Sequence, residues 1–136
     1  MIDTSVMVAG LVTNHEFHTI ARPHVAAAVR GVVPGIVLAE TWAALRGAPW
    51  HLDARTVEAT LAPWCDQDRI VATPTSAYAE ILRTGRSLSL GGNVHDLLIA
   101  LTCRDHGLPL VTLDRRQSTL AAELAGLDST LLLPTG

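Results

Sequence analysis

The clearest hydrophobic pattern in this chain is a long apolar segment, a tight turn and a second, shorter apolar segment. The first segment predicts a helix over residues 94 to about 104, which ends because Gly107 favours a left-handed terminal conformation and Pro109 bars continuation. The run 110–113 predicts a buried strand with Asp114 at its carboxyl end. A helix, a turn and a strand in this order are half of a βαβ unit.

The start of this helix carries polar residues that suit a helix N-terminus. Asn93 is a favourable N-cap, and Asp96 falls in the first turn, where a carboxylate interacts favourably with the helix dipole. In open α/β sheets, ligands bind outside the carboxyl ends of the strands. Asp96 and Asp114 are therefore the first candidates for a functional site.

The rest of the chain predicts short strands alternating with helices. A strand is expected to begin at Ile2, and others to cover 32–33, 69–73 and 130–133. Helices are expected over 18–30, 36–45, 54–64, 75–83 and 118–125. Ser118 is the expected cap of the last helix, and Gly126 its end. This order predicts one α/β domain over residues 1–136, a three-layer α/β/α sandwich around a central, mainly parallel sheet.

Charge and composition narrow the class of protein. The formal net charge is −3, which gives no overall electrostatic signature of nucleic-acid binding. All ten basic residues are arginine, and four of them flank the candidate acids: Arg83, Arg86, Arg115 and Arg116. These arginines form either a basic rim around an acidic centre or an ordinary solvated surface, and the sequence leaves both interpretations open.

Two further features bear on where the protein acts. The chain has no apolar run of the roughly 20 residues that a membrane span needs, and its start, MIDTSV, lacks the basic region of a signal peptide. Cys65 and Cys103 lie in unrelated contexts without metal-ligand spacing, which predicts two buried thiols. We therefore expect a cytoplasmic protein that does not associate with membranes.

Four carboxylates stand out by position. Asp3 and Asp114 lie at predicted strand ends, whereas Glu40 and Asp96 lie early in apolar helices that follow loops, so a parallel sheet could gather all four. Charges 4 Å apart repel by about 4 kcal/mol at an effective dielectric near 20, so such a cluster needs a cation. Carboxylates suit Mg²⁺, whereas zinc favours Cys and His clusters. Singly, each acid is equally explained as a cap, a turn residue or a solvated side chain.

Three segments resemble PIN-domain proteins and, more narrowly, the VapC toxins of bacterial type II toxin–antitoxin pairs. They are MIDTSV, LAETWAAL and GGNVHDLLIALTCRDHGLPLVTLDRR. The resemblance implies a Mg²⁺ site, in which Mn²⁺ can substitute, made of four acids: Asp3, Glu40, Asp96 and Asp114. It also implies that the hydroxyls of Ser5 and Thr112 support these acids. Arg116 stands where many relatives have a further acid, which leaves a second metal ion in doubt.

The resemblance also implies a function and partners. It implies an endoribonuclease toxin that hydrolyses RNA with metal-activated water, with a cognate VapB-like antitoxin and a homodimeric assembly. Arg115 and Arg116 are candidates to hold the RNA backbone. Trp42 and Trp50 could line interfaces, whereas Trp64 ends an apolar helix and is expected to be packed in the core. His95, next to Asp96, is expected at the surface.

Two alternatives stay open at this point. The first is a catalytically inactive PIN-like module that binds RNA or protein. The second is a Mg²⁺-dependent phosphatase or receiver-like domain. A haloacid-dehalogenase phosphatase requires Asp-x-Asp on its first strand, where Ser5 occupies the second acidic position, and a receiver requires a late lysine, which this chain lacks.

Overall fold

The computed structural model describes residues 1–85 and 94–132, in which helices alternate with short strands. The helices are α1 (Thr4–Leu11), α2 (His18–Ala28), α3 (Gly35–Arg46), α4 (Ala54–Leu61), α5 (Thr75–Thr84), α6 (Val94–Asp105) and α7 (Arg115–Ala125). The strands are β1 (Val33–Pro34), β2 (Ile70–Val71), β3 (Leu110–Thr112) and β4 (Ser129–Leu131). Two turns of 3₁₀ helix, Ala62–Trp64 and Gln67–Arg69, lie between α4 and β2.

The strand pairs within residues 1–85 and 94–132 are parallel, as predicted. β1 pairs with β2, and β3 pairs with β4. The chain start joins the second pair, because the Asp3 amide donates to the Val111 carbonyl at 3.1 Å and Ile2 bridges Val111 in parallel. This confirms an α/β fold, although the described strands form two separate two-stranded sheets and not the single central sheet that was predicted.

Helix α6 lies at the centre of the hydrophobic core. Its residues 97–103 are all buried, as the almost continuous apolar sequence predicts. Helix α1 packs closely against α2, because Gly10 leaves room for the side chain of Val25. Trp64 is buried, as predicted, and its indole N–H donates to the Ala28 carbonyl at 3.1 Å. Within the two described ranges, no helix is long and apolar enough to cross a membrane.

Several predicted boundaries are wrong for identifiable reasons. Helix α7 begins at Arg115, because the Asp114 carboxylate accepts the Arg116 amide at 2.8 Å and caps the helix four residues before Ser118 could. Asp3 likewise caps α1 by accepting the Val6 amide, so the first extended segment ends there. Strand β2 covers only two residues of the predicted 69–73.

The prediction of two buried thiols is half wrong. Cys103 is buried in α6, but Cys65 follows the first 3₁₀ turn after α4 and is exposed. The predicted N-cap Asn93 and the flanking Arg86 lie outside the described residues.

Candidate acidic metal site

Asp3 is the most deeply placed of the four predicted acids. Asp3 is 4% exposed, because it directly follows the β-bridge between Ile2 and Val111 and so lies beside β3. Oδ1 accepts hydrogen bonds from the Ser5 hydroxyl at 2.6 Å and from the Val6 amide at 3.1 Å. Oδ2 accepts a hydrogen bond from the Thr112 hydroxyl. These donors fix the orientation of the carboxylate.

Ser5 and Thr112 contact Asp3, which is where the resemblance implied that they would act. The Ser5 oxygen also accepts the Leu113 amide at 3.0 Å, and the Thr112 oxygen accepts the Asp114 amide at 2.9 Å. The two hydroxyls therefore connect the first turn of α1 to the chain that leaves β3. Asp3 and Asp114 are held in one hydrogen-bonded unit although they are far apart in sequence.

Glu40 joins this unit through Thr4, a residue that the sequence analysis missed. The Thr4 hydroxyl donates to Glu40 Oε1 at 2.7 Å and so links α1 to α3. Glu40 is half-buried at this contact. The direct adjacency of Thr4 to Asp3 was the only signal in the sequence for this role.

Asp96 lies in the first turn of α6 and is half-buried. Burial raises its pKa to about 6, with further increases from the negative charges of Glu40, Asp114 and Asp3, in decreasing order. Its place in the helix dipole favours the carboxylate, but desolvation and three like charges outweigh that effect. The negative charges of all three other acids therefore act on Asp96.

The pKa of Asp3 is also raised. Burial is the main cause, and the negative charge of Asp114 adds to it, while the hydrogen bonds from Ser5, Thr112 and Val6 oppose the rise. Two acids with raised pKa values in one place indicate a region that is short of positive charge.

The donor atoms of this region suit a hard divalent cation. They are carboxylate oxygens backed by hydroxyls, which is the chemistry that Mg²⁺ and Mn²⁺ accept. Within residues 1–85 and 94–132, no three His, Cys, Asp or Glu side chains stand close enough together to hold an ion. The acids are close enough for their charges to raise the pKa values of Asp3 and Asp96. To coordinate one ion, their side chains would have to move closer together.

Gln117 is a second residue that the sequence analysis missed. It lies on α7, is 1% exposed, and its Nε2 donates to the main-chain carbonyl of Asp96 at 3.0 Å. Its Oε1 is buried and has no hydrogen-bond partner in the described part of the chain. A buried glutamine one turn after Asp114 was the signal that could have revealed it.

The remaining predicted residues lie at the edge of the site. Arg115 and Arg116 are exposed in the first turn of α7, directly after Asp114. Both residues belong to the helix, and both are exposed to solvent. His95 is exposed, as predicted.

An α/β fold that gathers carboxylates beside the ends of parallel strands is typical of metal-dependent enzymes that act on phosphate esters. The chain belongs to the PIN domain family, which it matches over residues 1–123. PIN domains are generally metal-dependent nucleases and typically use Mg²⁺. No curated protein matches the chain.

Proposed function

We propose that this protein is a Mg²⁺-dependent endoribonuclease that acts in the cytoplasm as the VapC-type toxin of a type II toxin–antitoxin pair. The observation that carries the nuclease proposal is the hydroxyl network of Thr4, Ser5 and Thr112. This network holds three separated acids, Asp3, Glu40 and Asp114, in one region. The negative charges of these three acids raise the pKa of Asp96, which is the fourth acid of the region.

The four acids have different tasks in this proposal. Asp3 is an oriented ligand, because its hydrogen bonds leave little freedom for its carboxylate. Glu40 is aimed by Thr4, and Asp114 is held against the N-terminus of α7. Asp96 would complete the ligand set, since a bound cation would lower its raised pKa and keep the carboxylate ionised. Bound Mg²⁺ supplies the charge that polarises water and the phosphodiester.

RNA would reach this region past the N-terminus of α7. Arg115 and Arg116 are exposed in its first turn, directly after Asp114, and offer cations to RNA phosphates. Their exposure leaves them available for a backbone contact, which positions the strand without reading its sequence.

The family likeness supports the wider parts of the proposal. These are a VapB-like antitoxin, a homodimer, a single domain over residues 1–136 and a three-layer sandwich. Trp42 supports a protein partner, because it is 47% exposed on α3 with the guanidinium of Arg46 at 5.8 Å from its ring centre. A large, exposed aromatic side chain is typical of interfaces.

Cleavage of RNA by the purified chain tests the nuclease proposal. We expect cleavage in Mn²⁺ or Mg²⁺ that stops with EDTA and is lost in Asp96→Asn. The matched control is Asp128→Asn, which changes an exposed carboxylate after α7 and is expected to cleave normally. Cleavage that persists in EDTA, or that survives in a folded Asp96→Asn chain, contradicts the proposal.

Growth of bacteria that express the chain tests the toxin proposal separately. We expect growth arrest that is relieved when the small gene next to this one is co-expressed. Asp96→Asn should be harmless at equal expression. Normal growth at full expression of the active chain would leave a nuclease without a toxin role.

A PIN-like module that binds RNA or protein without cutting it is the second candidate. One observation favours it, namely that no three acidic or imidazole side chains in the described ranges stand ready to hold an ion. RNA binding that does not depend on Mg²⁺ or Mn²⁺, without cleavage in either, is the result that would select this candidate.

A further inference from the structure

A cavity of about 400 Å³ is lined by residues that neighbour the acids in the chain, and we refer to it as the α1–α2 groove. Thr4 and Ser5 line it from α1, and Leu113 lines it from the end of β3. These are the residues that orient Glu40 and Asp3 and that lead into Asp114. The groove therefore shares Thr4 and Ser5 with the hydrogen-bond network of the acidic site.

The segment that joins α1 to α2 also lines the groove, with His15, Glu16 and Phe17. The His15 and Phe17 ring centres lie 6.0 Å apart, with the ring planes tilted by 44°. The ring of Trp50 also packs near His15, with the two ring centres 5.7 Å apart. This segment thus contributes two aromatic rings and one carboxylate to the lining of the groove.

Local hydrogen bonds hold this segment in place. The Phe17 amide donates to His15 Nδ1 at 3.1 Å, and the His18 ring bonds to the Ala9 carbonyl of α1 at 2.9 Å. Because His15 Nδ1 is an acceptor, the neutral ring carries its hydrogen on Nε2. His15 therefore carries one N–H donor, and the next residue, Glu16, supplies two acceptor oxygens to the lining of the groove.

This set of groups matches the chemistry of one nucleobase. Aromatic side chains stack on unpaired bases, and polar groups read the base edge. A carboxylate that accepts two hydrogen bonds selects a base with two adjacent donors. Guanine has N1–H and N2–H₂ next to the acceptor O6, whereas adenine, cytosine and uracil each offer a single donor group on that edge.

We propose that the α1–α2 groove binds one unpaired guanine of the RNA, next to the phosphodiester that is cut. The base stacks on Phe17, Glu16 accepts from its N1–H and N2–H₂, and His15 donates to O6. This proposal rests on the proposed nuclease function, because it treats the neighbouring acids as the cleavage site. It makes the segment before α2 the determinant of base specificity.

Binding of short RNAs tests the proposal without any need for turnover. The full chain carrying Asp96→Asn is titrated, with Mg²⁺ and without it, against four fluorescent pentanucleotides that differ only in their central base. We expect the guanine pentanucleotide to bind about tenfold more tightly than the other three. Equal affinity for the four RNAs, or no binding of any of them, overturns the proposal.

Substitutions in the groove test the individual contacts. Phe17→Leu keeps apolar bulk for packing but removes the flat ring, so we expect about tenfold weaker binding of all four RNAs. Glu16→Gln should remove the preference for guanine, because the amide offers one acceptor where the carboxylate offers two. The controls are Tyr78→Leu and Glu123→Gln, both exposed and outside the groove, which should bind like the parent chain.

The two proposals fail in different ways. Guanine-selective binding that depends on Glu16, in a protein that cleaves no RNA, refutes the nuclease and keeps the guanine site. Asp96-dependent cleavage whose position ignores guanine keeps the nuclease and refutes the site. Unchanged affinity in a folded Phe17→Leu chain, judged by its melting temperature, also refutes the site.

Discussion

The Thr112 hydroxyl donates a hydrogen bond to the carboxylate of Asp3, a residue 109 positions away in the chain. The same oxygen accepts the Asp114 amide at 2.9 Å, so one threonine bridges two of the candidate acids. A single side chain thereby couples the start of the chain to the end of β3.

Replacing Thr112 with valine should show how much this bridge contributes to the free energy of unfolding. Thr112→Val removes a hydrogen bond to a carboxylate and leaves the Asp114 amide without its acceptor, so we expect the free energy of unfolding to fall by about 1.5–3 kcal/mol. Thr41→Val is the matched control, because the buried Thr41 hydroxyl has no partner within the described residues. That variant should gain about 1 kcal/mol. Urea denaturation of both variants decides, and equal losses would contradict the assignment.

The stability of the metal-free protein should depend on pH through Asp96. Since its pKa is raised from 3.8 to about 6, folding favours the protonated form. This stabilisation is complete below pH 3.8 and is lost as the pH rises through 6. Asp96→Asn stays neutral at every pH. We therefore expect its free energy of unfolding to exceed that of the parent by about 1–2 kcal/mol at pH 8, allowing for solvent screening. At pH 4 the two free energies of unfolding should be nearly equal. A difference independent of pH would show that Asp96 does not titrate in this way.

Added Mg²⁺ should stabilise the folded protein. A ligand at 100 times its Kd contributes about 2.7 kcal/mol when it binds only the folded state. We expect the rise in melting temperature to be larger at pH 8 than at pH 5, because protonated Asp96 offers no carboxylate to the ion. Scanning fluorimetry at constant ionic strength measures both rises. Asp96→Asn should lose most of the effect, and a rise of the same size in that variant would place the ion elsewhere.

Gln117 is expected to position Asp96. Gln117→Met loses the hydrogen bond to the Asp96 carbonyl but also removes the buried, unpartnered oxygen. These changes offset each other, so we expect a change of under about 1 kcal/mol in the free energy of unfolding and a nuclease rate several-fold lower. Gln67→Met, at an exposed position, is the control. Gln117→Glu buries a charge and should cost about 3 kcal/mol or more. An unchanged rate in Gln117→Met would reduce Gln117 to a core residue.

The contact between α1 and α2 should not tolerate a side chain at position 10. A β-carbon at Gly10 would overlap the Val25 side chain, so Gly10→Ala is expected to lower the free energy of unfolding by about 1–3 kcal/mol. At Gly31 the nearest atom to an added β-carbon lies 3.9 Å away, so Gly31→Ala should be tolerated. Thermal unfolding of the two variants measures the difference, and a stable Gly10→Ala chain would show that the helices separate easily.

Much of the local structure could be predicted from the sequence. Gly107 and Gly126 both adopt the left-handed conformation expected of residues that end helices, with φ of 65° and 62°. The start of α7 could not be predicted, because Asp114 and Ser118 are both good caps and only the structure shows which of them is used. The exposure of Cys65 likewise depends on which side of its turn meets the core.

The sequence by itself determined the helix ends marked by Gly107 and Gly126, the parallel strands, the burial of α6 and four acids as candidates. Those features depend on neighbours within a few residues, or on how apolar a segment is. Only the tertiary structure decided that Thr4 would donate to Glu40, that Gln117 would reach the Asp96 carbonyl, and that His15 and Phe17 would line a groove with Thr4 and Ser5. Each of these contacts joins elements distant in sequence. Their partners are set by how the helices pack, which no local pattern of residues records.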